Sequence, residues 1–130
     1  MEIHVSQEQA RVPVTVFHIT GDIDTSNYDQ LESRVQQAIQ TGMRFLLLDL
    51  SQVAFISSYG IRAISQIFTW LRDESEGDQT LSQGLRDGKF KAHHLKLVNV
   101  TPNVRRVLTT TGVDMFIEIH SDLKKALDSF

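Results

Sequence analysis

Hydrophobic and polar residues alternate near the start of the chain. Val12, Val14 and Val16 lie two positions apart, and β-branched residues in alternation are typical of a strand. Ile3 and Val5 show the same spacing just before them. The pattern therefore predicts two adjacent strands at the start of the chain, with no helix between them.

Two later segments carry apolar residues at intervals of three and four, which predicts two helices. Ahead of the first segment, Ser26 and Asp29 have the spacing of a capping box, and Gly42 is placed to end the helix. The second segment follows Ser57 and Ser58, and either hydroxyl could cap its first turn. We therefore expect this second helix to begin at Ser57 or Ser58.

The rest of the pattern alternates strands with helices. Residues 45–50 open with a continuous apolar run, as in a strand covered on both faces. Further strands are predicted over 95–100 and 113–119, and the last two helices after Thr101 and Ser121. This order predicts a single α/β domain, in which a mixed, mostly parallel sheet of four to five strands carries about four helices.

One stretch, residues 73–92, follows neither the two-residue spacing of a strand nor the three-to-four-residue spacing of a helix. It contains glycines 77, 84 and 88, a cluster of acidic residues and then basic ones, with few apolar positions. A polar stretch of this length exceeds the usual connection of about 4 to 6 residues. We therefore interpret the chain, 1–130, as one domain in which 73–92 is a long polar loop insertion, expected to be mobile and dispensable for folding.

Composition narrows the classes of partner. The chain has 13 Lys and Arg against 16 Asp and Glu, a net charge of -3 and no cysteine. Without a basic excess, nucleic acid is not an expected partner. Without cysteine there is no disulfide framework or thiol chemistry, which favours a reducing, cytoplasmic location. The apolar runs are far shorter than the ~20 residues that cross a bilayer, so a membrane is not expected either.

Motifs for several chemistries are missing from the sequence. Glycine-rich phosphate loops do not follow any strand. The serines at 57 and 58 lack the glycine two positions earlier that a nucleophile elbow requires. The five histidines have no zinc-motif spacing. Because spacing alone assembles no nucleophile, base and orienting group, we expect no enzymatic activity, no cofactor and no metal.

Asp49 resembles the phospho-accepting strand end of a response-regulator receiver. Asp22 and Asp24 would then be the acidic pair, and Thr101 the hydroxyl switch. A receiver, however, has a helix between its first two strands, and this chain is predicted to have none. We favour a structural role, in which Asp49 accepts turn amide hydrogen bonds together with Ser51.

A more extensive resemblance covers almost the whole chain. Residues 21–24 (Gly-Asp-Ile-Asp), residues 49–61 and residues 101–108 leading to Gly112 resemble segments of the STAS domains, the sulfate transporter and anti-sigma factor antagonist family. The middle segment of that family reads DLSGVxxIDSSGL. In this chain Gln52, Ser57 and Tyr59 stand where the family has glycine, aspartate and serine.

The resemblance implies a protein-binding module rather than an enzyme. Its partner would be an anti-sigma factor with serine kinase activity, which the unmodified module sequesters; phosphorylation of Ser58 would release it, and a serine/threonine phosphatase would reset the switch. A phosphate at a helix start is tolerated because unpaired backbone N–H groups point at it. The implied phosphorylation and partner-binding residues are Asp22, Asp24, Ser57, Ser58, Tyr59 and Arg62.

Several alternatives remain open at this level. Ser57 and Ser58 could be caps only, each worth ~1 kcal/mol to the helix. Tyr59 could anchor a partner or merely cover the adjacent loop, and Arg62 could pair with a phosphate or remain solvated. The second functional hypothesis is a STAS scaffold or ligand-sensing subunit whose serine is never phosphorylated, with the long loop supplying specificity.

Overall fold

The computed structural model describes residues 1–75 and 92–130. Within those ranges the strands are β1 (Glu2–Gln9), β2 (Pro13–Thr20), β3 (Leu46–Gln52), β4 (Leu95–Val98) and β5 (Glu118–His120). The α-helices are α1 (Tyr28–Gln40), α2 (Ser58–Ser75), α3 (Pro102–Thr111) and α4 (Leu123–Asp128), and a short 3-10 helix covers Val113–Met115.

All five strands belong to one sheet in the order β1-β2-β3-β4-β5. β1 and β2 are antiparallel and joined by a tight turn, whereas each later strand is parallel to its neighbour. A tight turn can join only antiparallel strands, and a parallel pair needs a crossover such as a helix. The predicted mixed, mostly parallel sheet with no helix between its first two strands is confirmed.

The sheet has a hydrophobic core on each face, and β3 contributes to both. Leu46 and Leu48 are fully buried in the larger core, which also contains buried residues of α1, α2 and α3. Leu47 between them is fully buried in the smaller core, where Ala126 of α4 also lies. Because successive side chains of a strand point to opposite faces, the continuous apolar run is explained by cover on both sides, as predicted.

The predicted strand over 113–119 is wrong for most of its length. Residues Val113–Met115 form the 3-10 helix, and β5 is only three residues long. Gly112 ends α3 in the left-handed conformation, with φ +82°, which suits a residue without a side chain. The N–H of Ile117 then donates to Val113 O at 3.0 Å, so these two buried residues have helical rather than strand spacing.

The predicted capping box of α1 is also wrong. The helix begins at Tyr28, with Asn27 as the N-cap residue. Ser26 instead donates from its backbone N–H and its hydroxyl to Asp24 Oδ1, at 2.9 Å and 2.6 Å. The turn before the helix is thus held by Asp24, because its carboxylate accepts two hydrogen bonds from one residue.

Two other predicted caps have different roles in the structure. Asp122, not Ser121, caps α4, since its carboxylate accepts from the backbone N–H of Lys125 at 3.1 Å. Thr101 precedes α3 as predicted, but its hydroxyl donates to Val53 O at 2.8 Å. It therefore ties the start of α3 to the loop after β3.

The predicted loop over 73–92 begins later than expected, because α2 continues through Asp73 and Glu74 to Ser75. At the other end, Ala92 is buried in the larger core. Residues 76–91, which make up the rest of that prediction, lie outside the described residues. Over 1–75 and 92–130, no helix combines the length and the apolar character needed to cross a membrane.

Candidate functional site at the start of helix α2

Two loops meet where α2 begins. Ile23, in the loop after β2, pairs with Ile56, in the loop after β3, as an isolated parallel bridge. The N–H of Ile23 donates to Phe55 O at 3.1 Å, and the N–H of Ser57 donates to Ile23 O at 2.9 Å. These backbone bonds extend the β2–β3 pairing past the strand ends and hold the residues before α2 in place.

Gly60 brings the first turn of α2 directly against this pair of loops. A Cβ at position 60 would lie 2.5 Å from Ile56 Cγ1, 2.9 Å from Ile23 Cγ2 and 3.0 Å from the Ile23 carbonyl oxygen. Real Cβ atoms essentially never approach heavy atoms within 3.0 Å. The glycine is therefore required by close packing rather than by an unusual backbone angle.

The structure distinguishes between the two adjacent serines. Ser57 is half-buried, and its Oγ accepts from the Gly60 N–H at 3.3 Å while its carbonyl accepts from the Ile61 N–H at 3.0 Å. Ser58 is the first helical residue and is exposed. Over the part of the chain that the structure describes, its hydroxyl makes no hydrogen bond. Ser57 is thus the cap, and Ser58 is an exposed serine at the helix N-terminus.

The two acidic residues predicted for the partner surface differ in environment. Hydrogen bonds from the Ser26 hydroxyl and then the Ser26 backbone N–H hold the pKa of Asp24 below its usual value. Asp22 has an exposed side chain, and its carbonyl accepts from Asn27 Nδ2 at 2.8 Å. Asp24 therefore shapes the turn, whereas the Asp22 carboxylate is available at the surface.

Aromatic side chains lie at the start of α2. The rings of Tyr28 and Tyr59 are 5.3 Å apart between centroids, and the guanidinium carbon of Arg62 lies 5.6 Å from the Tyr59 centroid. Tyr59 is 39% exposed and Phe55, two residues before the Ser57 cap, is 50% exposed. We call Tyr28, Tyr59 and Arg62 the aromatic cluster. It joins α1 to α2 while leaving part of Tyr59 exposed.

Asp49 does not belong to this site. Its Oδ1 accepts from the Ser51 backbone N–H at 3.0 Å, as expected, and its Oδ2 lies 2.8 Å from His18 Nδ1. Partial burial raises its pKa, but the hydrogen bonds from His18 and Ser51 outweigh this and leave the pKa below its usual value. His18 was not a predicted site residue, because only strand pairing brings it beside Asp49.

Metal binding has no support in the described ranges. Among residues 1–75 and 92–130, no group of three or more histidine or acidic side chains is arranged to hold a metal ion.

Comparison with protein families identifies the class to which the fold and this site belong. A family model described as the STAS domain matches residues 5–76, which is more than half of the chain. The chain belongs to the STAS domain family. No curated protein matches it by sequence.

Solved structures show the same fold. An anti-sigma-factor antagonist (STAS) domain protein from Planctomyces limnophilus is 22% identical, with a TM-score of 0.70 over 96% of this chain and 93% of that one. An anti-sigma factor antagonist from Mycobacterium paratuberculosis is 22% identical, with a TM-score of 0.66 over 97% and 92%. The phosphorylated form of the Bacillus cell fate determinant SpoIIAA is 14% identical, with a TM-score of 0.63 over 98% and 97%. At sequence identities this low, the structural similarity establishes a shared fold only.

Proposed function

We propose that this protein is an anti-sigma factor antagonist that sequesters an anti-sigma factor with serine kinase activity until Ser58 is phosphorylated. The observation that carries the proposal is the division of roles between the two serines. Ser57 accepts the Gly60 amide hydrogen bond, and the exposed Ser58 hydroxyl has no structural task among the described residues. A modification at Ser58 would therefore leave the helix cap intact.

The position of Ser58 also suits the product of the reaction. The kinase would transfer the γ-phosphoryl group of ATP to Ser58 Oγ and release ADP, with the Ser58 proton passing to a base of the kinase. The new phosphate carries a charge of about -1.5 to -2. Backbone N–H groups of the first turn of α2 and the positive end of its dipole stabilise such a charge. Phosphorylation should thus change the surface without unfolding the domain.

The partner surface follows from the exposed groups around Ser58. Tyr59 and Phe55 offer partly exposed aromatic rings, and tyrosine is enriched among residues that carry binding energy. The exposed Asp22 carboxylate and the Arg62 guanidinium supply charge at the same end of the sheet. A dianion placed among groups that fit the partner would weaken the complex by repulsion and by the cost of desolvating the phosphate.

The modification is tested with purified candidate serine kinases and ATP, followed by mass mapping of the modified residue. We expect phosphate on Ser58, loss of incorporation in Ser58→Ala, and normal incorporation in Ser57→Ala. Ser33→Ala is a matched control, because Ser33 is an exposed helical serine on α1. Phosphate on Ser57, or on no residue with any of the kinases, would remove Ser58 from the mechanism.

Binding to the kinase separates the two functional hypotheses. Ser58→Asp should weaken binding at least tenfold, which corresponds to about 1.4 kcal/mol, and should leave thermal stability nearly unchanged. Ser58→Ala should bind as the unmodified protein does. Equal affinities of Ser58→Asp and the unmodified protein would favour the scaffold or ligand-sensing hypothesis instead.

A further inference from the structure

Three side chains on the sheet form a hydrogen-bonded row that includes none of the residues of the Ser58 site. Ser6 Oγ lies 3.2 Å from His18 Nε2, and His18 Nδ1 lies 2.8 Å from Asp49 Oδ2. The other Asp49 oxygen accepts from the Ser51 N–H at 3.0 Å. The order is hydroxyl, imidazole and fixed carboxylate, which is the arrangement that activates a serine nucleophile.

The direction of each hydrogen bond follows from what each group can donate. The carboxylate of Asp49 is held ionised by its hydrogen bonds and can only accept, so His18 Nδ1 must carry the proton that it donates. In a neutral imidazole the other nitrogen is then an acceptor. In that neutral form, His18 Nε2 accepts from the Ser6 hydroxyl, as a general base for Ser6 does.

Strand register brings the three residues to one face. Ser6 on β1 lies opposite Val16, which is two residues before His18 on β2, and His18 pairs with Asp49 on β3. On the same face, Val16 and Leu47 are apolar and lie in the smaller core with Ala126 of α4. The His18 side chain, by contrast, remains 35% exposed and that of Asp49 16% exposed. The imidazole is thus held firmly by a mostly buried carboxylate but can still be reached from solvent.

The open edge of the sheet supplies a donor for a developing oxyanion. The N–H of Thr15 donates to Phe45 O at 2.9 Å, toward the β3 side. Thr15 lies directly opposite Gln7 on β1. Because the Thr15 N–H points toward β3, Thr15 and Gln7 form a non-hydrogen-bonded pair of the antiparallel ladder. The N–H of Gln7, the residue directly after Ser6, consequently points away from β2, at an edge of β1 with which no strand of residues 1–75 or 92–130 pairs. A backbone N–H that follows the nucleophile is a common oxyanion donor.

We propose that Ser6, His18 and Asp49 form an acyl-transfer site for small activated carboxylic esters, separate from the Ser58 site. Ser6 Oγ forms a bond to the ester carbonyl carbon while its proton moves to His18 Nε2. The bond to the leaving oxygen then breaks, and His18 returns the proton to that oxygen, which leaves as an alcohol. Water then transfers a proton to His18 Nε2 as its oxygen bonds to the acyl carbon, the bond from that carbon to Ser6 Oγ breaks, and His18 returns the proton to Ser6 Oγ, which releases the acid. Asp49 is a positioning residue that holds the imidazole.

Two probes test the site in the intact chain. The first is hydrolysis of p-nitrophenyl acetate, with release of p-nitrophenol followed by absorbance. The second is a fluorophosphonate, in which Ser6 Oγ would displace fluoride from phosphorus, followed by mass mapping of the adduct. Matched controls are Ser33→Ala and His93→Gln, because both residues are exposed and lie outside the row.

We expect the adduct on Ser6, at least a tenfold loss of hydrolysis in Ser6→Ala and in His18→Gln, and rates within twofold of the unmodified protein in both controls. Asp49→Asn should lower kcat with KM little changed, because it disturbs the imidazole and not the bound ester. Ser6 is half-buried on the edge strand β1, and urea unfolding will verify that Ser6→Ala folds. An adduct on another serine, no adduct at all, or a Ser6→Ala rate equal to that of the unmodified protein would overturn the proposal.

Discussion

The Ser57 hydroxyl accepts a hydrogen bond from the backbone N–H of Gly60 at 3.3 Å, which makes Ser57 the cap of α2. Replacing an N-cap serine by alanine costs about 1 kcal/mol. Ser57→Ala should therefore lower the free energy of unfolding by about that amount. Ser58→Ala should change it by less than about 0.5 kcal/mol, as for exposed sites without a structural role.

Urea unfolding of both variants and the unmodified protein, followed by circular dichroism, measures the two effects. A larger loss in Ser58→Ala than in Ser57→Ala would show that the capping roles are reversed. That result would also weaken the case for Ser58 as the phosphate acceptor, because a capping hydroxyl would then have to be given up on modification.

Gly60 tests the packing of α2 on the loop that contains Ile23. Alanine is better than glycine in a helix interior by up to about 1 kcal/mol, so propensity alone favours Gly60→Ala. The added Cβ would meet Ile56 Cγ1 at 2.5 Å and the Ile23 carbonyl oxygen at 3.0 Å, and overpacking costs roughly 1–3 kcal/mol. We expect the steric cost to exceed the gain in helix propensity, so that Gly60→Ala lowers thermal stability.

Gln66→Ala provides the comparison for Gly60→Ala, since Gln66 is exposed on the same helix. Its melting temperature should stay within a few degrees of the unmodified protein. If Gly60→Ala were as stable as Gln66→Ala, the close approach of the helix to the loop would be wrong.

Periodicity was sufficient for the order of strands and helices, because a side chain's face depends mainly on its spacing. Leu46 and Leu47 are buried in different cores, as a strand covered on both sides requires. Caps were less predictable. Ser26 and Ser121 are suitable capping residues, yet Asn27 and Asp122 occupy those positions, since the path of each loop decides which side chain reaches the helix end.

The sequence did not predict the group formed by Ser6, His18 and Asp49, because it depends on the register of strand pairing. Ser6 and His18 are 12 positions apart, and His18 and Asp49 are 31 apart. Their proximity depends on which strands are neighbours and on how far each is shifted along the other. By contrast, Ser57, Ser58 and Tyr59 are consecutive, so the sequence alone could place them together at a helix start.

The pair of Lys96 and Glu118 leads to a pH-dependent stability. Lys96 is almost fully buried, and its Nζ donates to Glu118 Oε2 at 3.0 Å and to Ser129 O at 3.2 Å. Partial burial raises the pKa of Glu118, but Lys96 and then His120 outweigh this and leave it lowered. A lowered folded-state pKa stabilises the protein above the ordinary glutamate pKa of about 4.3, and the gain is lost as pH falls through the folded value.

Glu118→Gln should therefore reduce the free energy of unfolding by roughly 1–3 kcal/mol near neutral pH, because it weakens a hydrogen bond between charged groups. The difference from the unmodified protein should shrink as the pH falls below the ordinary glutamate pKa toward the lower folded-state pKa, because Glu118 then becomes protonated first in the unfolded and then in the folded state. Urea unfolding across that range measures it, with Glu8→Gln on the exposed strand β1 as control. A difference that does not change with pH would contradict this account.

Arg62 stands four residues after Ser58, one helical turn away, and its guanidinium now lies over the Tyr59 ring. If Ser58 is phosphorylated as proposed, residues four apart on a helix face each other, and Arg62 can pair with the phosphate at the surface. Such an exposed pair contributes roughly 0.5–1 kcal/mol. Arg62→Gln removes the contact with Tyr59 from the unmodified form and the pairing with phosphate from the phosphorylated form, so the quantity to compare is the change in stability on phosphorylation in each background. Urea unfolding of the four species should show that phosphorylation raises stability more in the parent chain than in Arg62→Gln.

Arg105→Gln, an exposed change on α3, should leave the effect of phosphorylation unaltered. An effect of phosphorylation that is the same in Arg62→Gln and in the parent chain would mean that the phosphate is held by the helix N-terminus alone.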